Sequence, residues 1–139
     1  MTIQMVLLPV FVQVALTFAL LIWMASARTA SVTRGETKLR DIALGQSAWP
    51  AKPTQISNCY DSQFQIPLLF YVLVVLAWIT KQADLIFVVM AWIFVLSRLA
   101  HAYIHTGSNH VPTRFRVFAV GMIVLLLMWI VFAVRILIL

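Results

Sequence analysis

The sequence predicts an all-α membrane protein, a bundle of four transmembrane helices. Of its 139 residues, 63% are hydrophobic and only 10% are charged, whereas soluble domains are roughly half apolar and about one quarter charged. Four long apolar runs alternate with polar segments, and most charges lie in those segments. A water-soluble fold of this length could not bury so much apolar surface, so we predict one transmembrane domain over residues 1–139.

The first span is predicted at about 5–27. This apolar run exceeds the roughly 20 residues that a bilayer-spanning helix needs. No basic residue precedes it, because the first charge of the chain is Arg28. We therefore expect an uncleaved helix and not a secretory signal peptide.

The second span is predicted at 58–80, after a polar loop over 28–57. Its apolar part, 66–79, has only 14 residues and would reach about 21 Å as a helix, against about 30 Å for the hydrocarbon core. We therefore expect the helix to begin earlier, near Asn58. The segment from Asn58 to Gln65 should then be helical and buried in protein rather than in lipid.

The third and fourth spans are predicted at 85–105 and 113–138. A short turn over 80–84 precedes the third span, and the polar run 106–109 ends it. The fourth span opens after Pro112, a residue favoured in the first turn of a helix. Residues 117–134 carry no charge, so this run is long enough to cross the bilayer.

The loop charges predict the orientation of the chain. Short loops rich in Lys and Arg stay in the cytoplasm, and the loops after the first and third spans are richer in them than the opposite side, which has Lys81 and Arg135. The basic residues of those two loops are Arg28, Arg34, Lys38, Arg40, Lys52, Arg114 and Arg116. We expect both termini on the non-cytoplasmic side, in the cell inner membrane if the source is a bacterium. Because the basic residues lie in these loops, the net charge of +6 is explained by membrane topology, and we expect no nucleic-acid partner.

Two polar stripes lie at the predicted cytoplasmic ends of the second and third spans. Polar side chains are expensive in lipid and often mark function there. The stripes have helical spacing, so each occupies one helix face; they are Asn58, Asp61 and Gln65 on the second span and Arg98, His101 and His105 on the third. Together with Arg114 they predict one pocket for an anion, held by charge-assisted hydrogen bonds.

Simpler interpretations of the same residues stay open. Arg98 near a helix end can extend to the lipid headgroups, and His101 and His105 can bond to a neighbouring helix. Arg114 and Arg116 can serve as topology signals only.

Metal and thiol chemistry are less favoured. His101 and His105 share a face, but His110 lies beyond Gly107 in the next loop, so we predict no metal site. Cys59 is the only cysteine and is interpreted as an inert thiol.

The order of features along the third and fourth spans resembles the MAPEG superfamily, the membrane-associated proteins in eicosanoid and glutathione metabolism. The resemblance is carried by Arg98-Leu-Ala-His101-Ala-Tyr103-Ile-His105, then Gly107, Asn109, Pro112 and Arg114, and by Asp61-Ser-Gln-Phe-Gln-Ile-Pro67 before an aromatic-rich span. With the four spans and the long basic first loop, it covers nearly the whole chain. We expect a divergent, bacterial member.

The resemblance implies a homotrimer with glutathione as cosubstrate at subunit interfaces, on the cytoplasmic side. Carried over by position, Arg98 matches a glutathione-contacting arginine, Arg114 an arginine that activates the thiol, and Arg28, more loosely, another arginine near the ligand. An arginine beside a thiol stabilises the thiolate, which is the nucleophile.

The chain departs from the family pattern at several polar positions. Asp61 and Phe64 stand where the second span of the family has an Asn and, three residues later, a Glu that binds the glutathione amine. His105 and Phe118 replace tyrosines that face the ligand in some members. Asp61 can take over the charge role of the missing Glu.

These observations support two main hypotheses. The first is a glutathione-transferase-like or peroxidase-like membrane protein that acts on a lipophilic small molecule arriving from the membrane lipids. The second is a non-catalytic member of the same fold that binds a lipid headgroup or a partner protein. A small transporter subunit is less favoured, because no span has an acidic residue at mid-membrane.

Overall fold

A computed structural model of the chain describes residues 2–44 and 48–138. Within these ranges the chain forms six helices and no strand: α1 (Ile3–Thr33), α2 (Leu39–Ile42), α3 (Ala51–Ser62), α4 (Ile66–Ile79), α5 (Leu85–Thr106) and α6 (Val111–Leu137). Among the described residues, four stretches are long and apolar enough to cross a membrane, namely α1, the combined stretch Ala51–Ile79, α5 and α6. The predicted all-α class with four membrane-spanning stretches is therefore confirmed.

Helix α1 is longer than the apolar run at 5–27 that predicted it. It ends at Thr33, where the Gly35 N–H bonds to the Val32 carbonyl and the Glu36 N–H to the Ser31 carbonyl. This is a Schellman ending, which needs a left-handed residue after the helix, and Gly35 has φ +77°. The helix thus stops at its glycine rather than at the first charge, Arg28.

The second span is broken, which corrects the prediction of one helix over 58–80. Helix α3 begins seven residues earlier than predicted, at Ala51, and ends at Ser62; α4 begins only at Ile66. Between them the N–H groups of residues 63, 64 and 65 bond to carbonyls three residues back, at 3.0, 3.1 and 3.3 Å. Pro67 causes the break, because its ring has no N–H and would clash with a helical carbonyl four residues before it.

The segment 58–65 is partly buried within the single chain, and its burial in protein rather than in lipid stays a prediction for the assembly. Residues 58–62 are helical, but 63–65 form the break. Ser62 and Gln63 are buried, whereas Asn58, Asp61 and Gln65 are exposed within the single chain. Two helix faces therefore separate here, one against the bundle and one towards open space.

The break is fixed by a buried polar contact with α1. Gln13 Nε2 donates to Gln63 Oε1 at 2.8 Å, and Gln63 Nε2 donates to the Cys59 carbonyl at 2.9 Å. Both glutamines are almost fully buried. Since a buried polar group left unpaired costs about 1–3 kcal/mol, these bonds hold α3 and α4 in place against α1.

Helix α5 is the centre of the bundle and contacts α1, α3 and α6. Its apolar side joins the main core through Phe94 and Ala91, together with Phe70 of α4 and Met128 of α6. Helices α5 and α6 approach each other closely at Gly121, where an added Cβ would lie 2.5 Å from a side-chain oxygen, Ser97 Oγ.

The opposite end of α6 is tied to the turn between α4 and α5. Arg135 Nη2 lies 2.9 Å from Asp84 Oδ2, and Arg135 Nη1 donates to the Gln82 carbonyl at 3.3 Å. Asp84 also caps α5 by accepting the Phe87 N–H at 3.0 Å. Partial burial raises the pKa of Asp84, but the Phe87 N–H and the Arg135 guanidinium bring this pKa below its usual value of 3.8.

Candidate functional site

An open cavity of about 490 Å³ lies where α3, the end of α5 and the start of α6 meet. Small-ligand sites commonly enclose about 300–1,000 Å³, so its size suits a small organic molecule. The lining residues are Asn58, Asp61, Ser62, Gln65, His101, His105, Val111, Arg114, Phe115 and Phe118. Both predicted polar stripes contribute to this wall.

The wall from α5 consists of two buried histidines. His101 and His105 are 4% and 7% exposed, with ring centroids 5.3 Å apart, and the His101 ring lies 5.8 Å from the Phe118 ring. In both rings Nδ1 is buried without a hydrogen-bond partner in the described part of the chain. Because buried polar atoms are normally paired, these two imidazoles have unused hydrogen-bonding capacity.

The last turn of α5 is held by α3. Gln55 Nε2 donates to the carbonyls of His105 and Gly107, at 2.7 and 2.9 Å, and Lys52 Nζ donates to the Thr106 carbonyl. The final carbonyls of a helix have no partner within it, so these side chains supply one. The position of His105 at the cavity is therefore fixed by contacts outside the cavity.

The wall from α3 is polar and includes one carboxylate. Asn58, Asp61 and Gln65 face the cavity, as their spacing predicted. Asp61 belongs to none of the ion pairs formed within residues 2–44 and 48–138. The carboxylate is thus available to a cationic group of a ligand.

Arg114 supplies the positive charge of the cavity wall from α6. Its Nη1 donates to Asn109 Oδ1 at 2.7 Å. Asn109 itself has φ +54°, a left-handed conformation that asparagine tolerates better than most residues. This hydrogen bond to the turn between α5 and α6 therefore helps to fix the position of the Arg114 guanidinium.

Arg98 lies behind the wall and does not line the cavity, which corrects the expectation that it meets Arg114 there. It is 1% exposed, and its Nη2 donates to Ser62 Oγ at 2.9 Å and to the Ser62 carbonyl at 3.3 Å. Arg98 Nε and Nη1 have no partner among the residues described. Ser62 does line the cavity, so it connects this guanidinium to the wall.

Arg28 is not part of the cavity, contrary to the expectation from the resemblance. Its Nη2 donates to Ser57 Oγ at 2.9 Å, and its guanidinium lies 5.0 Å from the centre of the Trp49 ring. Successive residues on a helix point about 100° apart. Ser57 therefore faces α1 while the next residue, Asn58, faces the cavity.

Sequence analysis missed three lining residues, Ser62, Val111 and Phe115. Ser62 is four residues after Asn58, and Phe115 is four after Val111, so helical spacing could have identified them. Phe118, recognised as a departure from the family pattern, does line the cavity.

Phe64, the other such departure, lies against Tyr60 instead, with ring centroids 5.1 Å apart. It is exposed within the single chain, and it is not one of the residues that line the cavity.

The arrangement places opposite charges on different walls of one cavity. Asp61 on α3 can bind an ammonium group, and Arg114 on α6 can bind a carboxylate or stabilise a thiolate by charge-assisted hydrogen bonding. The apolar side chains from α6 give the rest of the wall a surface suited to a nonpolar molecule.

The sequence of the chain matches the model of one protein family. No curated protein and no solved structure matches the chain, but the model of the MAPEG family matches residues 6–134. The matched range includes α3, α5 and all but the last three residues of α6, and therefore every residue that lines the cavity. Functions in this family are related to glutathione and eicosanoids at membranes. The chain belongs to the MAPEG family and is an integral, multi-pass membrane protein.

Proposed function

We propose that this protein is a glutathione-transferase-like or peroxidase-like membrane protein that acts on a lipophilic substrate in the cavity between α3, α5 and α6. The observation that carries the proposal is that Asp61 and Arg114, which have opposite charges, lie on different walls of one cavity of about 490 Å³. Glutathione has an ammonium group, two carboxylates and a thiol, so it needs both signs of charge.

In this proposal each polar residue meets one part of glutathione. Asp61 binds the ammonium group in place of the Glu that the family pattern has three residues further on. Asn58 and Gln65 donate and accept hydrogen bonds with the peptide groups. Arg114 stabilises the thiolate, and Arg98 adds positive charge behind Ser62.

The lipophilic substrate would enter beside α6. Phe115 is 67% exposed within the single chain and lines the cavity together with Phe118 and Val111. In a transferase reaction, the thiolate forms a sulfur–carbon bond while the leaving group departs with its bonding electron pair. In a peroxidase reaction, two glutathione molecules reduce a hydroperoxide to an alcohol and water and become a disulfide.

The proposal includes the assembly and the orientation of the chain. We propose a homotrimer in which the open side of this cavity lies at a subunit interface, so that glutathione binds there, and in which the second span lies near the threefold axis. The cavity is formed at the end of the bundle from which both basic loops extend. By the positive-inside rule this end is cytoplasmic and both termini lie on the other side.

Ultraviolet absorbance of the thiolate tests the proposal without knowledge of the second substrate. Glutathione added to the detergent-purified protein should produce thiolate absorbance near neutral pH. Arg114→Ala should abolish this signal while sparing much of the binding. Arg116→Ala is the matched control, because Arg116 is exposed and does not line the cavity.

A second candidate function is favoured by the apolar residues at two polar positions of the family, Phe64 and Phe118. In that case the cavity binds a lipid headgroup or a partner protein and performs no thiol chemistry. Binding of glutathione or of another anion without any thiolate signal in the parent protein would support this alternative and exclude the enzyme.

A further inference from the structure

We infer that His105 accepts the thiol proton when glutathione binds in the cavity. The inference rests on the proposed function and adds a residue that performs proton transfer. It is carried by the position of the His105 ring at the cavity wall beside Arg114, and by the unused hydrogen-bonding capacity of that ring.

Both imidazoles in the cavity wall have a ring nitrogen without a hydrogen-bond partner in the described part of the chain. A neutral imidazole has one N–H and one nitrogen with a free lone pair. His101 and His105 are both more than nine-tenths buried, and each has a buried Nδ1 that no group in the described residues satisfies. A buried Nδ1 is closed to a ligand, so the nitrogen of His105 that can accept a proton in the cavity is Nε2, which has no hydrogen bond within residues 2–44 and 48–138.

The two histidines differ in their ring contacts and in their position along α5. The His101 ring is packed between the His105 and Phe118 rings, with centroids 5.3 and 5.8 Å away. His105 stands one helical turn nearer than His101 to the turn that leads from α5 into α6, and both His105 and Arg114 line the cavity. A thiol beside Arg114 therefore meets His105 before it meets His101.

Charged and titratable side chains from three helices surround His105. The charged or titratable side chains around it are Arg98 and His101 on α5, Arg114 on α6 and Asp61 on α3. With two guanidiniums nearby, an imidazolium is unfavourable while the cavity holds no anion. A thiolate placed between the imidazole and Arg114 offsets this repulsion, so proton transfer and thiolate formation favour each other.

The proton and electrons balance within the cavity. The S–H bond breaks, its electron pair stays on sulfur, and the proton moves to the lone-pair nitrogen of His105. After the sulfur attacks the substrate, the leaving group departs with its bonding pair and takes the proton back from the imidazolium. For a hydroperoxide, the departing alkoxide takes the same proton.

The position of His105 suits this role because its backbone is held independently. Gln55 binds the His105 carbonyl at 2.7 Å, so the last turn of α5 keeps its place when the side chain changes. Replacement of the imidazole should therefore alter proton transfer more than it alters the fold.

The test is a count of the protons released when glutathione binds near pH 7.5. The number of protons released is measured by calorimetry in buffers of different ionisation enthalpy. The number released on binding of S-methylglutathione, which has no thiol, is subtracted. The remainder is divided by the amount of thiolate formed. In the parent protein almost no proton should reach the solvent. In His105→Gln about one proton should be released per thiolate, because the thiolate is the ionised form of the thiol.

The control variant is His110→Gln. His110 is exposed and its Nδ1 lies 2.8 Å from Thr113 Oγ1, outside the cavity wall, so this variant should behave like the parent. A release of about one proton per thiolate by the parent protein would overturn the inference without any variant. An unchanged count in His105→Gln would overturn it too, by assigning the proton to another group.

Failure of the inference and failure of the proposed function give different results. If thiolate forms but its proton goes to the solvent in the parent protein, only the role of His105 is wrong. If no thiolate forms in the parent protein at all, the proposed function is wrong and the inference falls with it.

Discussion

Replacement of Arg98 by Met should leave the fold intact or stabilise it, and should weaken glutathione binding. Arg98 is 1% exposed, and two of its three guanidinium nitrogens have no partner among the described residues. Within the same residues it also has no carboxylate partner. Such a charge is held in the bundle at a cost that its bonds to Ser62 only partly offset.

The expected change in the free energy of unfolding follows from the unpaired nitrogens of Arg98 and from its two bonds to Ser62. Each unsatisfied buried polar group costs about 1–3 kcal/mol, and hydrogen bonds to a charged group contribute about 1.5–3 kcal/mol. The two nitrogens without partners and the two bonds to Ser62 therefore nearly cancel. Ser62 Oγ also keeps its bond to the Cys59 carbonyl, at 2.6 Å. Buried ionic groups replaced by apolar residues of similar volume are often neutral or stabilising.

Ligand binding should change in the opposite direction. Arg98 does not line the cavity, so it acts on glutathione through its charge and through Ser62. Its loss should weaken binding by less than the loss of a direct charge-assisted contact, which contributes roughly 1.5–3 kcal/mol or about 10- to 150-fold in Kd. Arg98→Lys should recover much of the binding, because it keeps the positive charge behind Ser62.

The assay is thermal unfolding in detergent with and without glutathione, together with equilibrium binding. Arg28→Met is the matched control, because Arg28 binds Ser57 and Trp49 away from the cavity, and it should leave binding unchanged. Parent-like binding in Arg98→Met would refute the reasoning. A large loss of stability without glutathione would show that the guanidinium has a structural partner that this account lacks.

Three further predictions concern the fold and the assembly. Gly121→Ala should destabilise the α5–α6 contact by about 1–3 kcal/mol, because the new Cβ would lie 2.5 Å from Ser97 Oγ; thermal unfolding should show the loss, and Ser97→Ala in the same chain should restore much of it. Asp84→Asn should lower stability by its full amount above the unfolded pKa of about 3.8, because a carboxylate with a lowered pKa stabilises the fold when ionised. This difference, measured as Tm against pH, should vanish as the pH falls through the lowered pKa; a constant difference would contradict the role of Arg135. Native mass spectrometry should show a trimer, and only monomer or dimer across mild detergents would contradict the proposed assembly.

Much of the fold could be predicted from local sequence signals, and the misses have local physical causes. Four apolar runs gave the number of spans, because length and hydropathy act within one helix. The break at 63–65 could have been predicted from Pro67, but the apolar run 66–79 is too short to span alone and therefore favours one longer helix over 58–80. The extension of α1 was missed because a helix can continue past the membrane until a residue such as Gly35 ends it.

The candidate site could be predicted only in part, because sequence gives the face of a side chain but not its neighbour. Helical spacing placed Asp61 and His105 on the correct faces for one cavity. It could not show that α5 turns Arg98 into the bundle, or that Arg28 meets Ser57 on another face of α3. Those outcomes depend on how the helices are rotated against one another.

The central claim is that glutathione lies in the cavity between α3, α5 and α6, and a structure of the protein with glutathione tests it most directly. We predict the ammonium group at Asp61 and the sulfur between Arg114 and His105. Glutathione bound elsewhere on the chain, or a lipid headgroup in the cavity under saturating glutathione, would contradict the account.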